Sequence, residues 1–484
     1  MPVMVETGKI SAIRKSAALA AITVLAACLR VLYLDRKSYW WDEVATVQIC
    51  SAPWSEFWQW LWHNEANMTF YYLLVRQWIH LGDSERTIRS LSVIFAVVSI
   101  ALIYAVGIRA FESTKAGLIA ALLLSVNTAH IAYAQEARSY ALLVLLCLLS
   151  LLFFLRIPAS NMGNAMAYIV VSVLAVYTHF FAVFFLGAQW CTLFWLPGND
   201  PQWKRFVLPI SIIVILIVPA LYYMLFRNSG QISHTPATQF NHLIRLLYFL
   251  VADGGRYHKV LALLYLLSIT VAVRRLVVRS RNNAGSLRDW NTAVMICSLV
   301  IPVIVTFVLS MWMPMFAMRY LLICLAPLVL LAAQGLAELP LEWIRVGVAS
   351  CIVLFSIGAL RWYYGHPKDD WRGLAAYVIE HAKPGDAVIG CPAGVDWPAQ
   401  YYLSKRAVHT SPKLSFVTPE SLESNVDRHR SSSQPLANQR FWVVTWGSTC
   451  DTTSFSRLTS GYERVDQKPF DGSLALALYS SEGK

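Results

Sequence analysis

Asp42 and Glu43 are adjacent carboxylates that directly follow Trp40 and Trp41, just after the first long apolar segment of the chain. Ionisable groups at the edge of hydrocarbon are costly, and they usually have a function or pair with one another. A carboxylate can accept a proton as a general base, or it can ligate a hard divalent cation. The pair therefore suggests chemistry at a membrane surface, although a helix cap would also explain Asp42.

Other polar side chains lie at similar positions between apolar segments, and counting of helices assigns them to the same face of the membrane. They are His63, Glu65, Glu136, Arg138, His179 and Arg319. Arginines suit phosphate, which they can hold by two parallel hydrogen bonds. Together the carboxylates and arginines imply a lipid-linked phosphate as substrate. Solvated loops, packing and interfacial anchoring remain open as structural explanations for each residue.

The composition places these side chains in a polytopic membrane protein. Hydrophobic residues make up 57% of the chain, charged residues only 14%, and the mean hydropathy is +0.50. A spanning helix needs roughly 20 apolar residues, and about eleven such runs precede residue 363. We expect a membrane domain over residues 1–362 and a soluble α/β domain over residues 363–484. In the latter, the pattern predicts a helix at 371–382 and strands at 387–390, 441–445 and 474–479.

The distribution of basic residues predicts the orientation of the chain. Lys9, Arg14 and Lys15 precede the first apolar run at about 16–34, which places the amino terminus in the cytoplasm. If Met68–Leu81 is a re-entrant or interfacial helix and not a full span, an arginine-rich loop at 274–288 is also cytoplasmic and the C-terminal domain is extracytoplasmic. The net charge of +12 then reflects topology, and nucleic acid is not expected as a partner.

Six motifs occur in the order seen in bacterial polyprenyl-phosphate-sugar glycosyltransferases of the GT-C superfamily. These motifs are Trp41–Val44, Glu65–Leu74, Gly82–Glu85 with Arg89, Tyr133–Tyr140, Met318–Leu321 and Asp370–Gly373. The chain thus resembles the protein O-mannosyltransferases and the lipid A aminoarabinose transferases. One departure is Met68-Thr69, where many relatives carry Pro-Pro or Lys-Pro. The resemblance implies a GT-C fold with about 11 spans plus interfacial helices.

The resemblance also implies a role for each candidate residue. Asp42 is the expected catalytic base and Glu43 its neighbour. Glu136 and Glu65 are expected to help bind a divalent metal ion, although the sequence leaves open whether a metal is required. The remaining side chains are candidates for the donor phosphate (Arg138 and Arg319) and for the acceptor or cavity (His63, His179 and Tyr320).

The expected enzyme is an inverting hexosyl- or pentosyltransferase that modifies a cell-envelope glycan or lipopolysaccharide. It would move a sugar from a polyprenyl-phosphate donor to a hydroxyl of a lipid, glycan or protein acceptor, at the outer face of the bacterial cytoplasmic membrane. No nucleotide cofactor is expected, because the sequence has no Gly-rich phosphate loop. Two alternatives remain: a flippase or transporter of lipid-linked sugars, and an O-antigen ligase or polymerase.

Nine cysteines are scattered along the chain, most of them within apolar runs. Cys391 and Cys450 lie in the C-terminal domain and could pair in an oxidising compartment. The sequence leaves this disulfide open.

Overall fold

The structure is a computed structural model that describes residues 2–159, 162–197, 202–226, 238–282, 286–366, 368–384, 386–391, 395–407, 415–417, 440–447, 456 and 459–481. The chain divides into two compact units. Residues 1–34 and 49–365 form the membrane unit, and residues 35–48 and 366–484 form the tail unit. The segment that carries Asp42 and Glu43 therefore belongs to the tail unit, although it lies close to the amino terminus.

The helices of the membrane unit follow one another with short connections. They are α1 (Pro2–Val31), α2 (Trp41–Ser51), α3 (Trp54–His63), α4 (Thr69–Trp78), α5 (Glu85–Phe111), α6 (Thr114–Val126), α7 (Thr128–Ala134), α8 (Tyr140–Phe154), α9 (Met162–Thr178), α10 (Ala182–Cys191), α11 (Lys204–Phe226), α12 (Asn241–Ala252), α13 (His258–Asn282), α14 (Leu287–Leu309), α15 (Leu325–Ala337) and α16 (Glu342–Gly365). Helix α2 begins in the tail unit and ends in the membrane unit. Short 3₁₀ helices cover Ala66–Met68, Ile79–Leu81, Ile157–Ala159, Thr192–Trp195 and Met318–Cys324.

Six helical stretches among the described residues are long and apolar enough to cross a membrane. They are Glu85–Phe111, Lys204–Phe226, His258–Ser280, Leu287–Leu309, Met318–Ala337 and Glu342–Gly365, and the bent pair α6 and α7 would be a seventh. Several further helices are apolar but shorter, among them α8, α9 and α12. The chain is thus a polytopic α-helical membrane protein, and the number of about eleven crossings stays a prediction.

Glycines allow two pairs of these helices to cross at backbone contact. A Cβ atom on Gly117 of α6 would lie 2.7 Å from the carbonyl oxygen of Tyr104 in α5. A Cβ atom on Gly335 of α15 would lie only 1.7 Å from the carbonyl oxygen of Ser268 in α13. Small residues at such crossings are typical of helix packing in membranes, where close van der Waals contact drives association.

The span formed by α6 and α7 is broken at Asn127, where the helix axis bends by 59°. The Asn127 side chain caps the second part, since its Oδ1 accepts the backbone N–H of His130 at 2.8 Å. Its Nδ2 donates to the carbonyl of Leu250 at 2.9 Å. The break thus has its own hydrogen-bond partners, as a bend at membrane depth requires.

Helices α3 and α4 are too short to cross a bilayer. The ten residues of α4 confirm that the predicted segment at Met68–Leu81 is helical but short. In α3, Phe57 and Leu61 are buried, whereas four tryptophans point outward and are between 37% and 55% exposed: Trp54, Trp58, Trp60 and Trp62. Amphipathic tryptophans of this kind are enriched at the membrane–water interface.

The described residues of the tail unit after 366 form helices and a mixed sheet, in agreement with the predicted α/β domain. The helices are α17 (Trp371–His381) and α18 (Asp396–Ala407), and the strands are β1 (Ala387–Cys391), β2 (Ser415–Val417), β3 (Arg440–Trp446), β4 (Glu463–Pro469) and β5 (Leu474–Ser480). The strand order is β2-β1-β3-β5-β4, with β1 parallel to β2 and β3 and with β5 antiparallel to β3 and β4. The predicted helix at 371–382 and the three predicted strands, which correspond to β1, β3 and β5, are confirmed.

The core of this sheet is built from alternating side chains of its central strands, including Ile389, Phe441, Val443 and Tyr479. Cys391, at the end of β1, takes part in a disulfide. Its predicted partner Cys450 lies outside the described residues.

Candidate active site

Asp42 and Glu43 occupy the first turn of α2, where the helix dipole favours negative charge. Glu43 is fully buried, and its Oε2 accepts the backbone N–H of Trp40 at 3.4 Å. Asp42 is partly exposed. The two neighbours therefore differ in environment: Glu43 contributes to the start of the helix, and Asp42 has access to solvent.

The segment before this helix is fixed within the tail unit by the predicted motif Asp370–Gly373. Asp370 caps α17 through a 2.9 Å bond from the N–H of Gly373. Ser38 accepts the N–H of Trp371 at 3.1 Å and donates to the carbonyl of Asp369 at 2.6 Å. The motif thus holds the segment that carries Asp42.

Two further contacts hold the same segment. Arg372 donates to the carbonyls of Asp35 and Arg36 at 2.8 and 2.6 Å. The N–H of Tyr39 donates to the Tyr402 hydroxyl at 2.6 Å. Residues more than 330 positions away along the chain therefore determine the backbone path that leads to Asp42.

Within the membrane unit, Glu65 and Arg138 form an ion pair. Arg138 Nη2 lies 3.7 Å from Glu65 Oε1, and the two side chains are 8% and 17% exposed. Glu65 lies in the loop between α3 and α4, and Arg138 in the turn between α7 and α8. The distance is long for a charge-assisted hydrogen bond, so the pair is mainly electrostatic.

Neighbouring helices support the turn that carries Arg138. Ser92 of α5 donates to the Arg138 carbonyl at 3.4 Å, and the Tyr71 hydroxyl of α4 lies 3.1 Å from Ser92 Oγ. Tyr72 is fully buried beside Glu65. Its burial, reinforced by the charge of Glu65, raises the pKa of the Tyr72 hydroxyl, so this phenol stays protonated.

His179, Tyr320 and Arg319 lie next to this ion pair. His179 is buried in the turn between α9 and α10, and its ring centroid lies 5.0 Å from that of Tyr320. The guanidinium carbon of Arg319 lies 5.7 Å from the centroid of the Tyr320 ring. Tyr320 therefore lies against both the His179 ring and the Arg319 guanidinium.

Glu136 is buried at the same turn and acts electrostatically on the hydroxyls of Tyr133 and Tyr363. Asp253, a carboxylate that the sequence analysis did not select, acts on the same two hydroxyls. It ends α12 in a left-handed conformation with φ of 51°. An acid followed by Gly254 and Gly255 after an apolar helix was the signal that could have identified it.

A cavity of about 450 Å³ lies beside Asp253 in the membrane unit. It is lined by Arg245, Tyr248, Phe249, Asp253, Gly254, His258 and Met318. One lining residue, Met318, directly precedes Arg319, a predicted phosphate-binding residue. A mixed apolar and charged lining suits a ligand that carries both hydrocarbon and a charged group.

The candidate metal ligands do not form a recognisable metal site by themselves. Glu65 is paired with a guanidinium, which opposes a cation at the same carboxylate. In the part of the chain that the structure describes, no three His, Cys, Asp or Glu side chains are grouped so that they could hold a metal ion. These residues alone therefore do not fit a complete metal site.

The structure thus places five predicted residues of the membrane unit in two contacting groups: Glu65 pairs with Arg138, and Tyr320 lies against His179 and Arg319. Glu136 lies in the same turn as Arg138. His63 is exposed at the end of α3. Asp42 and Glu43 belong to the tail unit.

Comparison with known proteins gives one match to a family profile. Residues 68–223 match the family described as dolichyl-phosphate-mannose-protein mannosyltransferase. No curated protein matches the chain in sequence. The profile covers α4 to α11 and therefore includes Glu136, Arg138 and His179.

Solved structures are similar to the chain over most of its length. ArnT from Cupriavidus metallidurans has a TM-score of 0.60 in the apo state at 13% identity, covering 96% of this chain and 98% of that one. The same protein bound to undecaprenyl phosphate has a TM-score of 0.56 at 14% identity, covering 95% and 97%.

A second similar protein is AglB from Archaeoglobus fulgidus, an archaeal oligosaccharyltransferase. In complex with an inhibitory peptide and a dolichol-phosphate, it has a TM-score of 0.51 at 11% identity, covering 89% of this chain and 69% of that one. A complex of the oligosaccharyltransferase from this organism with Zn and sulfate has a TM-score of 0.52 at 12% identity, covering 89% and 68%. These likenesses confirm the predicted fold class.

Proposed function

We propose, on the premise that this chain is a polytopic membrane protein with the GT-C fold, that it transfers a sugar from a polyprenyl-phosphate donor to an acceptor hydroxyl. The observation that carries the proposal is the ion pair of Glu65 with Arg138, together with the contacts of Tyr320 with His179 and Arg319, all in the membrane unit. Similar structures are bound to undecaprenyl phosphate and to a dolichol-phosphate, which supports a lipid phosphate as the ligand of this cluster. The fold does not favour a flippase, a transporter or an O-antigen ligase.

Arg138 and Arg319 are the proposed partners of the donor phosphate. Arg138 Nη2 lies 3.7 Å from Glu65 Oε1, and the planar guanidinium group can hold a phosphate by two parallel hydrogen bonds. The phosphate gains negative charge as the sugar leaves, so guanidinium groups stabilise the transition state more than the ground state. The phosphate needs no proton in order to leave.

Asp42 is the proposed general base. Its partial exposure distinguishes it from the buried Glu43, whose carboxylate bonds the backbone at Trp40. The acceptor oxygen attacks the anomeric carbon from the side opposite the phosphate, and the bond from that carbon to the phosphate oxygen breaks with its electron pair. Asp42 takes the acceptor proton, polyprenyl phosphate leaves, and the configuration of the sugar is inverted in one displacement.

A divalent metal ion at Glu65 and Glu136 stays a proposal that the described residues do not complete. The Zn complex of an archaeal oligosaccharyltransferase supports testing it. When bound, such an ion would supply Lewis-acid stabilisation of the phosphate. The proposed transfer uses Asp42, Arg138 and Arg319 without a step at a metal ion.

The proposed donor sugar is a hexose or a pentose. The proposed acceptor is a lipid, a glycan or a protein. We propose that transfer occurs at the outer face of a bacterial cytoplasmic membrane, with the amino terminus in the cytoplasm and the tail unit outside. His63, His179 and Tyr320 are the proposed contacts for acceptor or cavity. Of these, His179 and Tyr320 lie against each other.

The test uses the full chain in proteoliposomes with synthetic undecaprenyl-phosphate hexose and pentose donors, and a bacterial envelope extract as acceptor. Asp42→Asn should lower the release of undecaprenyl phosphate by roughly 10²- to 10⁴-fold, because it removes the proton acceptor. The matched control is Asp35→Asn, an exposed acid in the same segment, which should retain the wild-type rate. Normal release by folded Asp42→Asn protein would exclude Asp42 as the base.

A further inference from the structure

We propose that Arg30 is a positioning residue for the turn that carries Glu136 and Arg138. It would act through a buried hydrogen-bond network at the break between α6 and α7. The relevance of this turn to phosphate rests on the proposed function, whereas the network itself is a feature of the membrane unit.

The Arg30 guanidinium is fully buried near the end of α1 and makes four hydrogen bonds. Nη1 donates to the carbonyls of Ala26 and Ser125, each at 3.0 Å. Nη2 donates to the carbonyl of Leu124 at 3.0 Å and to Nδ1 of His130 at 2.7 Å. Because arginine has no acceptor, His130 Nδ1 must accept, which fixes the tautomer of this imidazole.

These contacts complete a broken helix. Helix α6 ends at Val126, so its last carbonyls have no partner one turn further along the chain. From the backbone, the Leu124 carbonyl oxygen accepts a long bond of 3.4 Å, donated by the N–H of Asn127. An unsatisfied carbonyl in hydrocarbon costs several kcal/mol, and a cation is favoured at the negative end of the helix dipole. Arg30 satisfies both requirements at the bend.

The network continues to the functional turn through Gln135, the residue directly before Glu136. Gln135 Nε2 donates to the carbonyls of Arg30 and Leu32 at 3.0 and 2.7 Å. The Tyr363 hydroxyl donates to Gln135 Oε1 at 3.3 Å. Helix α7 has only seven residues. Near its start the Arg30 guanidinium bonds the His130 ring, and at its end Gln135 bonds the backbone carbonyl of Arg30.

Packing alone does not explain an arginine at this position. Its hydrogen-bond partners within the described part of the chain are carbonyls and an imidazole, with no carboxylate among them. A charged side chain is costly to place within a membrane, so an apolar residue would fill the space at lower cost. The gain is a fixed orientation of α7, and displacement of a reacting group by about 1 Å can lower a rate 10²-fold.

The experiment uses the full chain in lipid nanodiscs with undecaprenyl phosphate as the probe. Arg30→Met removes the donors, Arg30→Lys keeps a donor and the charge, and Gln135→Leu removes only the connection to the turn. Thr23→Ala is the control, because Thr23 bonds only one turn back within α1, to the carbonyl of Leu19 at 2.9 Å. The readouts are the Kd of the folded protein and the hydrogen–deuterium exchange of residues 127–140.

Arg30→Met and Gln135→Leu should each raise exchange within 127–140 and weaken undecaprenyl phosphate binding at least tenfold. Arg30→Lys should restore most of both, and Thr23→Ala should change neither. If Arg30→Met does not fold, His130→Leu decides the question, because it removes the ring atom in α7 that accepts from the Arg30 guanidinium. Wild-type exchange at 127–140 in either variant that folds, or wild-type affinity despite faster exchange, would overturn the positioning role.

Failure of the proposed function has a different signature. If wild-type protein does not bind undecaprenyl phosphate, the donor class is wrong. The exchange measurement then still decides whether Arg30 holds the turn: faster exchange in Arg30→Met but not in Thr23→Ala supports it, and equal exchange overturns it.

Discussion

At the scale of single residues, the ion pair of Glu65 and Arg138 determines how the site can receive its ligand. A well-formed buried ion pair would compete strongly with a substrate for the guanidinium. The distance of 3.7 Å from Arg138 Nη2 to Glu65 Oε1 is longer than a charge-assisted hydrogen bond. Under the proposed function, a phosphate joins the carboxylate at this guanidinium, which Glu65 holds in place.

Arg138→Ala should therefore weaken undecaprenyl phosphate binding by roughly 10- to 100-fold, since hydrogen bonds to charged groups contribute about 1.5–3 kcal/mol each. Titration of the purified protein in nanodiscs measures the change. Arg345→Ala is the matched control, because Arg345 pairs with the exposed Glu342 one turn away. Equal losses of affinity in both variants would contradict a specific phosphate contact.

The sequence predicted the residues of the site that belong to recognisable motifs, and it missed those that are defined by packing. Glu65, Arg138 and Arg319 stand out as charges between apolar runs. Asp253 also ends an apolar run, yet no motif contains it, and its relation to Glu136 depends on two tyrosines that are far apart in sequence. Arg30 could not be assigned a role, since its partners are backbone carbonyls, which leave no pattern in side chains.

At the scale of helices, the glycines at crossings set the distances between neighbouring helices. These distances in turn set the positions of the segments that continue from the helices. Gly335 brings α15 to backbone contact with α13, and α15 continues directly from the 3₁₀ helix that carries Arg319 and Tyr320. A change at this crossing would move these two side chains together with the helix.

Gly335→Ala should destabilise the membrane unit by about 1–3 kcal/mol or more, because its Cβ would lie 1.7 Å from the Ser268 carbonyl oxygen and one backbone must move. Thermal unfolding in nanodiscs, followed by tryptophan fluorescence, measures the loss. Gly347→Ala in α16 is the control, since its Cβ would meet no atom of the described residues within 4 Å. An unchanged midpoint for Gly335→Ala would show that this crossing is loose.

The sequence patterns predicted the presence of helices and strands better than the breaks within them. The strands β1, β3 and β5 follow from β-branched and aromatic runs between turn residues. The 59° break at Asn127 was not predicted, because the apolar run continues through it and only the capping geometry of Asn127 marks it. The short α4 was recognised since Arg76 and Gln77 interrupt its apolar run.

At the scale of the whole molecule, the division into units differs from a simple cut of the chain. Residues 35–48 join the tail unit because Ser38, Tyr39 and the backbone at Asp35 bond to residues beyond 366. Contacts over such sequence separations are invisible to periodicity and composition. The motif Asp370–Gly373 was recognised as a motif, but its role as the support of this segment required the structure.

The predicted topology can be tested with two introduced cysteines at exposed lysines. Lys383→Cys, in the tail unit, should react with a membrane-impermeant maleimide added to intact spheroplasts. Lys115→Cys, in the first turn of α6, should react only after the membrane is permeabilised, as the positive-inside rule requires. Wild-type protein gives the background from native thiols. The reverse pattern would invert the assignment of faces, and with it the face proposed for transfer.

Helix α3 ends two residues before Glu65, and its outward tryptophans seek the headgroup layer. The contact of α3 with the headgroup layer thus sets the depth of this acidic loop in the membrane. The phosphate of a donor lipid lies at the depth of the other headgroup phosphates. The loop and the donor phosphate are therefore held at a similar depth before they meet, and the donor needs to diffuse only in the plane of the membrane.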